Sequence, residues 1–458
     1  MKPQNLTAEE QYNKMVNTPV SRLIISLAVP TVISMLVTAI YNMADTFFVS
    51  HINTQASAAV GIVFPIMSII QACGFTLGMG SGSLVSIRLG QKRNEEANTI
   101  ASTAFFTALG VGALILIFGN LFASQFLSLV GASEAVLPYA KDYAMFIFWG
   151  APVMCASFVL NNVLRSEGKA FFSMIALTSG GLINIVLDPL FIYGLRMGIR
   201  GAAVATIVSQ TIAFVILLSW FLRGKAVCRM SIKFFRFTLD VLGKIVTTGL
   251  PSLARQGLAS IATILLNTTA GAYGDSAVAA MSITTKIVMF VASIMIGIGQ
   301  GFSPVSGYNY GAKRYDRVKK AYRFLVGSGM AIMSCFAIVI FIFAPQVMQG
   351  FIKDEAAVAV GVVALRWQIA FIPFHPLIVG TNMLMQSTRH IKAATFLSMN
   401  RQGVYFIPAI LILPRLFGLR GVETSQAAAD ILSAITAIPY LIHMFRKLDK
   451  LAEISSES

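Results

Sequence analysis

The sequence predicts an all-α polytopic membrane protein, with twelve transmembrane helices arranged as two parallel six-helix repeats. Three observations carry that expectation. The 458-residue chain is 56% hydrophobic and only 12% charged, with a mean hydropathy of +0.75, whereas soluble domains carry about 25% charged residues. Apolar runs of about 20 residues or more recur from end to end, each long enough to cross a hydrocarbon core of about 30 Å at about 1.5 Å per residue. The second half of the chain also repeats the motifs of the first in the same order.

Spans are expected at residues 22–50, 57–86, 99–124, 137–162, 171–194, 201–222, 243–271, 277–306, 321–347, 358–386, 393–413 and 421–445. The first follows a polar stretch, MKPQNLTAEEQYNKMVNTPVSRL, with no short apolar region leading into a small-residue cleavage site. It is therefore expected to belong to the mature fold. An even number of spans puts both termini on one side. Lys2, Lys14 and Arg22 fall there, with Arg88, Lys92 and Arg93, the basic residues from Arg223 to Lys244, and those from Lys313 to Arg323. By the positive-inside rule this side is cytoplasmic. The net charge of +16 is then a record of topology, and nucleic acid is not needed to explain it. The four cysteines, Cys73, Cys155, Cys228 and Cys335, are scattered, without a CxxC pair, and support neither a disulfide framework nor a metal site.

The internal repeat is read from several segments. LGMGSGSLVSIRLGQKRNEEA (77–97) returns as IGIGQGFSPVSGYNYGAKRYDRV (296–318), matching Gly78, Gly80 and Gly82 to Gly297, Gly299 and Gly301 with a two-residue insertion. Pro30 matches Pro251, and GIRGAA (198–203) matches GLRGVE (418–423). The expected organisation is a cytoplasmic segment at 1–20, a six-helix lobe at 21–225, a basic linker at 226–240, a second lobe at 241–447 and a tail at 448–458. Six spans per repeat make the repeats parallel. Transporters built this way hold substrate near the midplane and alternate access by rocking one half against the other.

The chain has 19 carboxylates, and only Asp45, Asp188 and Asp430 fall well inside expected spans. A charge at that depth costs roughly 2.5–3.5 kcal/mol on insertion scales. Asp45, in AIYNMADTFFV, has Asn42 three residues back and Tyr41 four back, on one helical face. Asp188, in GGLINIVLDPLFIYG, follows Asn184 by four residues and precedes Pro189, which frees a backbone carbonyl and opens a kink. Thr206 on the next span could add a hydroxyl. Desolvation penalises the ionised carboxylate, so such groups can take a proton or accept a cation in its place. The alternative is a carboxyl satisfied by Asn and Tyr hydrogen bonds and kept for packing. The repeat opposes Asp45 with Leu266 and Asp188 with about Pro408; the scaffold is duplicated and the acids are not, which favours function.

Asp430 has no evident amide or lysine partner in the sequence around it. Arg255, Lys286 and Arg401 are expected to snorkel or to bond backbone carbonyls, with Lys286, about ten residues into its span, kept as an accessory candidate. His375, between Pro373 and Pro376, is expected to hydrogen-bond beside a kink.

YNMADTFFV, NIVLDPLFIYG with GIRGAAVATIVSQ, and the repeated glycine segments ending in GQKR and GAKR resemble the multidrug and toxic compound extrusion (MATE) family, and within it the DinF- and MepA-like branch. The resemblance covers about residues 15 to 450. It implies a pair of six-helix bundles in the plasma (inner) membrane of a prokaryote, acting as a monomer and exporting small organic cations in exchange for H+ or Na+. It also implies a cation or proton site at Asp45, Asn184, Asp188 and Thr206, a bend at Pro30 coupled to protonation, and no cofactor beyond the coupling ion. Spans 7, 8 and 10 lack the acid that another branch carries in its C-terminal half, which concentrates coupling in the first half.

An ATP-driven pump is not supported, because no GxxxxGK[ST] loop is present. The GMGSG run within a span instead suits close helix packing. No Ser/His/Asp constellation supports an enzyme. The rival reading is a flippase of the same superfamily for lipid-linked or anionic substrates, which the basic residues Arg255, Lys286 and Arg401 keep open. A channel finds no ring of charges or filter-like segment.

Overall fold

A computed structural model of the chain describes residues 7–130 and 132–457. Residues 1–6, including Lys2, and Ser458 belong to the expected terminal segments and lie outside the described residues. Every regular element among the described residues is helical. In order these are α1 (Ala8–Asn17), α2 (Val20–Ser50), α3 (Thr54–Gly90), α4 (Asn94–Leu121), α5 (Ala123–Leu129), α6 (Leu137–Ser166), α7 (Ala170–Pro189), α8 (Ile199–Leu222), α9 (Leu239–Gly271), α10 (Asp275–Gly311), α11 (Tyr315–Ile342), α12 (Ala344–Phe351), α13 (Glu355–Phe371), α14 (His375–Ser387), α15 (Ile391–Met399), α16 (Phe406–Phe417) and α17 (Leu419–Glu457).

Eleven helical segments among the described residues are long and apolar enough to cross a membrane. Three are interrupted: Ala170–Gly194 ends in a π-helical turn, Glu355–Ser387 is broken by the 3-10 turn Ile372–Phe374, and Ile391–Phe417 contains the π-helical segment Asn400–Tyr405. The remaining expected span is α9, 33 residues long but more polar, with Arg255, Gln256 and Asn267 in its sequence. The twelve expected spans are thereby accounted for. The tail expected at 448–458 continues α17, and the N-terminal segment contains α1, which buries Gln11, Met15 and Val16.

The helices restate the duplication. α3 and α10 are both 37 residues long and start at 54 and 275; α4 and α11 are both 28 long and start at 94 and 315. Lys92 and Lys313, with φ of 58° and 57°, close the two connections in the same way. The offset is thus constant here, and the two-residue insertion expected from the sequence is not present. Gly78 and Gly80 align with Gly299 and Gly301, while Gly82 aligns with Ser303.

The same alignment explains the glycines. A Cβ on Gly80 would stand 2.1 Å from the Ile245 carbonyl oxygen, and one on Gly301 would stand 2.6 Å from the Ala28 Cα. Neither position can carry a side chain, because another helix backbone passes against it. Ala28 precedes Pro30 as Gly249 precedes Pro251, so the two contacts are equivalent in the repeats.

The chain divides into two compact units: residues up to Asn17 with Val29–Leu253, and Thr18–Ala28 with Ala254–Ser458. The expected boundaries at 21, 225 and 241 are therefore displaced. The first turns of α9 pack on α3 through Gly80, and the first turns of α2 pack on α10 through Gly301, so each start belongs with the bundle it touches. The linker expected as a separate segment at 226–240 is fastened to the first unit. Val227 and Cys228 donate their N–H groups to the Glu167 carboxylate, each at 2.8 Å, and Arg229 donates to Asn98 Oδ1. In this unit α6 is the central helix, packed against α3, α4 and α8 and burying Tyr143, Ile147, Leu160 and Leu164.

Candidate functional site

In the first unit, four helices converge on the polar residues the sequence marks. α2 supplies Tyr41 and Asp45, one turn apart, and α7 supplies Asn184 and Asp188, also one turn apart. α8 supplies Thr206 and Gln210, and α6 supplies Tyr143. Asp188 is fully buried and Asn184 nearly so. Asn184 Nδ2 donates to Asp188 Oδ1 at 3.3 Å, and Gln210 Nε2 reaches the Tyr41 hydroxyl at a long 3.5 Å. Asp45 and Asp188 lie within electrostatic reach of each other and of Tyr143, and Tyr41 lies within reach of Asp45. Thr206, buried, is beside the Tyr143 hydroxyl.

The local fold explains where Asp188 stands. Pro189 has no N–H to donate, and the helix slips there into the π-helical turn Leu190–Gly194, where Leu195 N–H reaches back five residues to the Leu190 carbonyl at 2.8 Å. Such turns recur at functional sites because they re-aim the side chains around them. Tyr193, within the turn, donates its hydroxyl to the Phe48 carbonyl at 2.7 Å and so ties α7 to the end of α2. Asp45 and Asp188 are held together by this tie, by Gly181 packed on Val37 and Tyr41, and by the α7–α8 packing.

Four oxygens in this cluster are buried without a hydrogen-bond partner: Asp45 Oδ1, Asp188 Oδ2, Asn184 Oδ1 and the Tyr143 hydroxyl. No lysine or arginine among the described residues forms an ion pair with either aspartate. Two carboxylates this close, shielded from water, repel each other and are costly without a counter-charge. Carboxylate, amide and hydroxyl oxygens suit a hard monovalent cation or a proton, not a transition metal. Among the described residues there is no group of three or more His, Cys, Asp and Glu side chains placed to hold a metal ion.

The second unit contains a different polar cluster. Asp430 of α17 is buried and fully engaged: Arg401 Nε and Gln426 Nε2 donate to Oδ1 at 2.6 and 3.0 Å, and His375 Nε2 lies 3.2 Å from Oδ2. His375 opens α14 directly after the 3-10 turn, and Arg401 lies in the π-helical segment 400–405. Both partners come from breaks in the helices, where side chains leave the regular face.

A family model described as MatE matches residues 30–190 and again residues 251–411. The chain belongs to the MatE family. Each match begins on a proline, Pro30 or Pro251, so the model recovers the same duplication as the helices. The multidrug export protein MepA of Staphylococcus haemolyticus (strain JCSC1435) is 26% identical over 453 residues, covering 98% of this chain and 100% of that protein. MepA of Staphylococcus aureus (strain N315) is 25% identical over 450 residues, covering 98% and 99%. A solved structure described as the outward-facing conformation of a multidrug resistance MATE family transporter of the MOP superfamily superposes with a TM-score of 0.91, at 28% identity, over 95% of this chain and 98% of that one.

Within the MatE fold, the residues marked from sequence separate clearly. Asp45, Tyr41, Asn184, Asp188 and Thr206 are brought together. Asn42 is not: its side chain is exposed, about 100° around α2 from Tyr41, so the shared face expected for all three residues is limited to Tyr41 and Asp45. Pro30 is buried on α2, four turns before Asp45, and its carbonyl accepts the Ser34 hydroxyl at 2.9 Å. Lys286 is exposed on α10, in the other unit. Asp430, expected to lack an amide partner, has one in Gln426, four residues before it on α17, and two more in Arg401 and His375, which are distant in sequence. His375 is the hydrogen-bonder expected. Tyr143 and Gln210 were missed. Each is a polar residue inside an apolar run, DYAMFIF and IVSQTIA, and that was the only signal available.

Proposed function

We propose that this MatE protein is a secondary active exporter of small organic cations, driven by antiport of H+ or Na+ at Asp45 and Asp188. The observation that carries this reading is the set of unpartnered oxygens on two close aspartates with no basic counter-ion. The names of the Staphylococcus relatives, as multidrug export proteins, support the export of drug-like molecules.

On this reading the pair retains one cation: a proton on one of the carboxyls, or a Na+ held by Asp45, Asp188, Asn184 Oδ1 and the Thr206 hydroxyl. Tyr143 stands beside both acids and can donate to whichever carboxylate is left ionised. Coupling requires the cation to bind one conformational state more tightly than the other, since only differential affinity can move the equilibrium. On this reading the Pro189 break is where the Asp188 turn changes its position against α2 between states, with release of the Tyr193–Phe48 hydrogen bond. Pro30, whose carbonyl is capped by Ser34, is the accessory bend in α2. The basic loops support cytoplasmic termini by the positive-inside rule, and on this reading export runs outward from a prokaryotic cell.

The test is efflux of a fluorescent organic cation from proteoliposomes, under a pH gradient alone and a Na+ gradient alone. Wild type is expected to export under one of the two, and Asp45→Asn and Asp188→Asn to be folded but uncoupled. Normal transport by both variants would make the aspartates packing residues and end this reading.

A further inference from the structure

The second unit encloses a cavity of about 250 Å³ between α9, α10, the α13–α14 span, α15, the 400–405 segment and α17. Its polar wall contains Arg255, Arg401, Gln368 and Gln402, and no aspartate or glutamate lines it. Asp430, the acid nearest this wall, has both oxygens engaged by Arg401, Gln426 and His375. Arg401 is thereby neutralised through its Nε. Arg255 is not: among the described residues it has neither a hydrogen bond nor a charged neighbour, and it faces the cavity. The rest of the lining is largely apolar and includes Ala262, Leu266, Val288, Ile296 and Phe406.

We infer that this cavity is a binding site for a small amphipathic organic anion, its carboxylate held by Arg255 and its apolar body set against Leu266, Val288 and Phe406. A half-buried guanidinium with no counter-charge favours an anion beside it, and its planar fork suits a carboxylate in two parallel hydrogen bonds. Gln368 and Gln402 add neutral amide donors, while the uncompensated charge of Arg255 disfavours an organic cation. The volume falls below the roughly 300–1,000 Å³ of drug-sized pockets, so the occupant is small. The polarity is the reverse of the acid cluster in the first unit, so the two sites take ligands of opposite charge.

The proposal is tested with the full chain purified in a neutral detergent, titrating benzoate, neutral benzamide and benzylammonium and following both thermal stabilisation and equilibrium dialysis. Benzoate is expected to bind saturably and to raise the unfolding midpoint, with benzamide at least tenfold weaker and benzylammonium without effect. Arg255→Met is expected to weaken benzoate at least tenfold. Should that variant fail to fold, Arg255→Gln, which keeps a hydrogen-bonding group without the charge, is expected to show the same loss. Benzylammonium binding as tightly as benzoate, or undiminished benzoate binding by either folded variant, would overturn the proposal. Glycerophosphate, titrated in parallel, separates a free carboxylate from a lipid headgroup; binding tighter than benzoate would overturn the assignment to an amphipathic carboxylate.

Discussion

Gln210 and Asp430 occupy equivalent places in the two repeats, each twelve residues after the positive-φ glycine that starts its helix, Gly198 or Gly418. Each joins a polar cluster in its own unit. Gln210 is a neutral amide reaching Tyr41, beside a pair of acids; Asp430 is an acid satisfied by Arg401, Gln426 and His375. One scaffold position has thus diverged into an acid-rich site with free oxygens in the first unit and an arginine-rich one in the second.

The Asp430 cluster should be structural, and breaking it should be expensive. Removing one partner of a buried ion pair leaves an uncompensated charge, at a cost of about 3–5 kcal/mol. Arg401→Met is therefore expected to lower the thermal midpoint in detergent substantially, and His375→Ala less. Replacing both partners, Arg401→Met with Asp430→Leu, should recover much of the loss. A double variant no better than the single one would mean that the pair does not act as a unit.

In the first unit, Tyr143→Phe removes a buried hydroxyl that stands beside Thr206 without a well-formed hydrogen bond, so folding should be little affected. If the hydroxyl donates to the ion-loaded or ion-released aspartates, the variant loses roughly 1 kcal/mol in one of those states. That corresponds to a change of about fivefold in the driving-ion concentration giving half-maximal efflux. An unchanged ion dependence would restrict Tyr143 to packing against α2 and α7.

The acids of the first site were legible because a carboxylate inside an apolar run stands out against its neighbours, and because Asn184 sits one helical turn from Asp188. Tyr143 was not legible, since a tyrosine in a membrane helix carries no comparable penalty and only the packing of α6 places it there. Asp430 was legible only in part. Gln426 stands one helical turn before it, as helical spacing allows, whereas Arg401 lies 29 residues away and His375 55, and both reach it from helix breaks that local sequence spacing does not describe. Asn42 shows the opposite error. Along α2 the three-residue step between Asn42 and Asp45 turns the side chain by about 60°, which here is enough to leave Asn42 exposed. Eleven of the expected spans, in contrast, followed directly from apolar length, while α9 is more polar and is recognised by its place in the repeat. The repeat itself was legible in the sequence, although its glycine register is set by the constant offset of the helices.

Those glycines give a sharp stability test. Gly80→Ala would drive a methyl to 2.1 Å from the Ile245 carbonyl oxygen, so α9 must move away from α3. Overpacking of this kind costs typically about 1–3 kcal/mol. At Gly110, on α4, nothing lies within 4 Å of a Cβ, and the alanine gains about 0.8–1.0 kcal/mol of helix propensity. Thermal unfolding should therefore separate the two substitutions in sign. Gly301→Ala should behave like Gly80→Ala because Ala28 closes on it in the same way. A neutral Gly80→Ala would mean that the α3–α9 contact is loose.

The linker supplies a pH-dependent prediction outside the spans. Burial raises the Glu167 carboxyl above its usual range, although the N–H groups of Val227 and Cys228 and the nearby Lys169 pull the other way. A carboxyl with a raised folded value binds its proton more tightly folded than unfolded. Its protonated form is therefore the better tolerated one, and stability falls as pH rises from the ordinary carboxylate range through the raised value. Glu167→Gln cannot titrate, so the difference in midpoint between wild type and this variant should shift against wild type across that window and be flat above it. The amide also leaves one of the two backbone N–H groups without its acceptor, which should cost about 1–3 kcal/mol at every pH. A proteolytic readout localises the effect, since release of Val227 and Cys228 exposes the segment from Arg223 to Arg236, rich in trypsin sites. Cleavage there should be faster in Glu167→Gln than in wild type at any single pH, and equal rates would show that the linker is held by its contacts to Asn98, Ser102 and Thr103 alone.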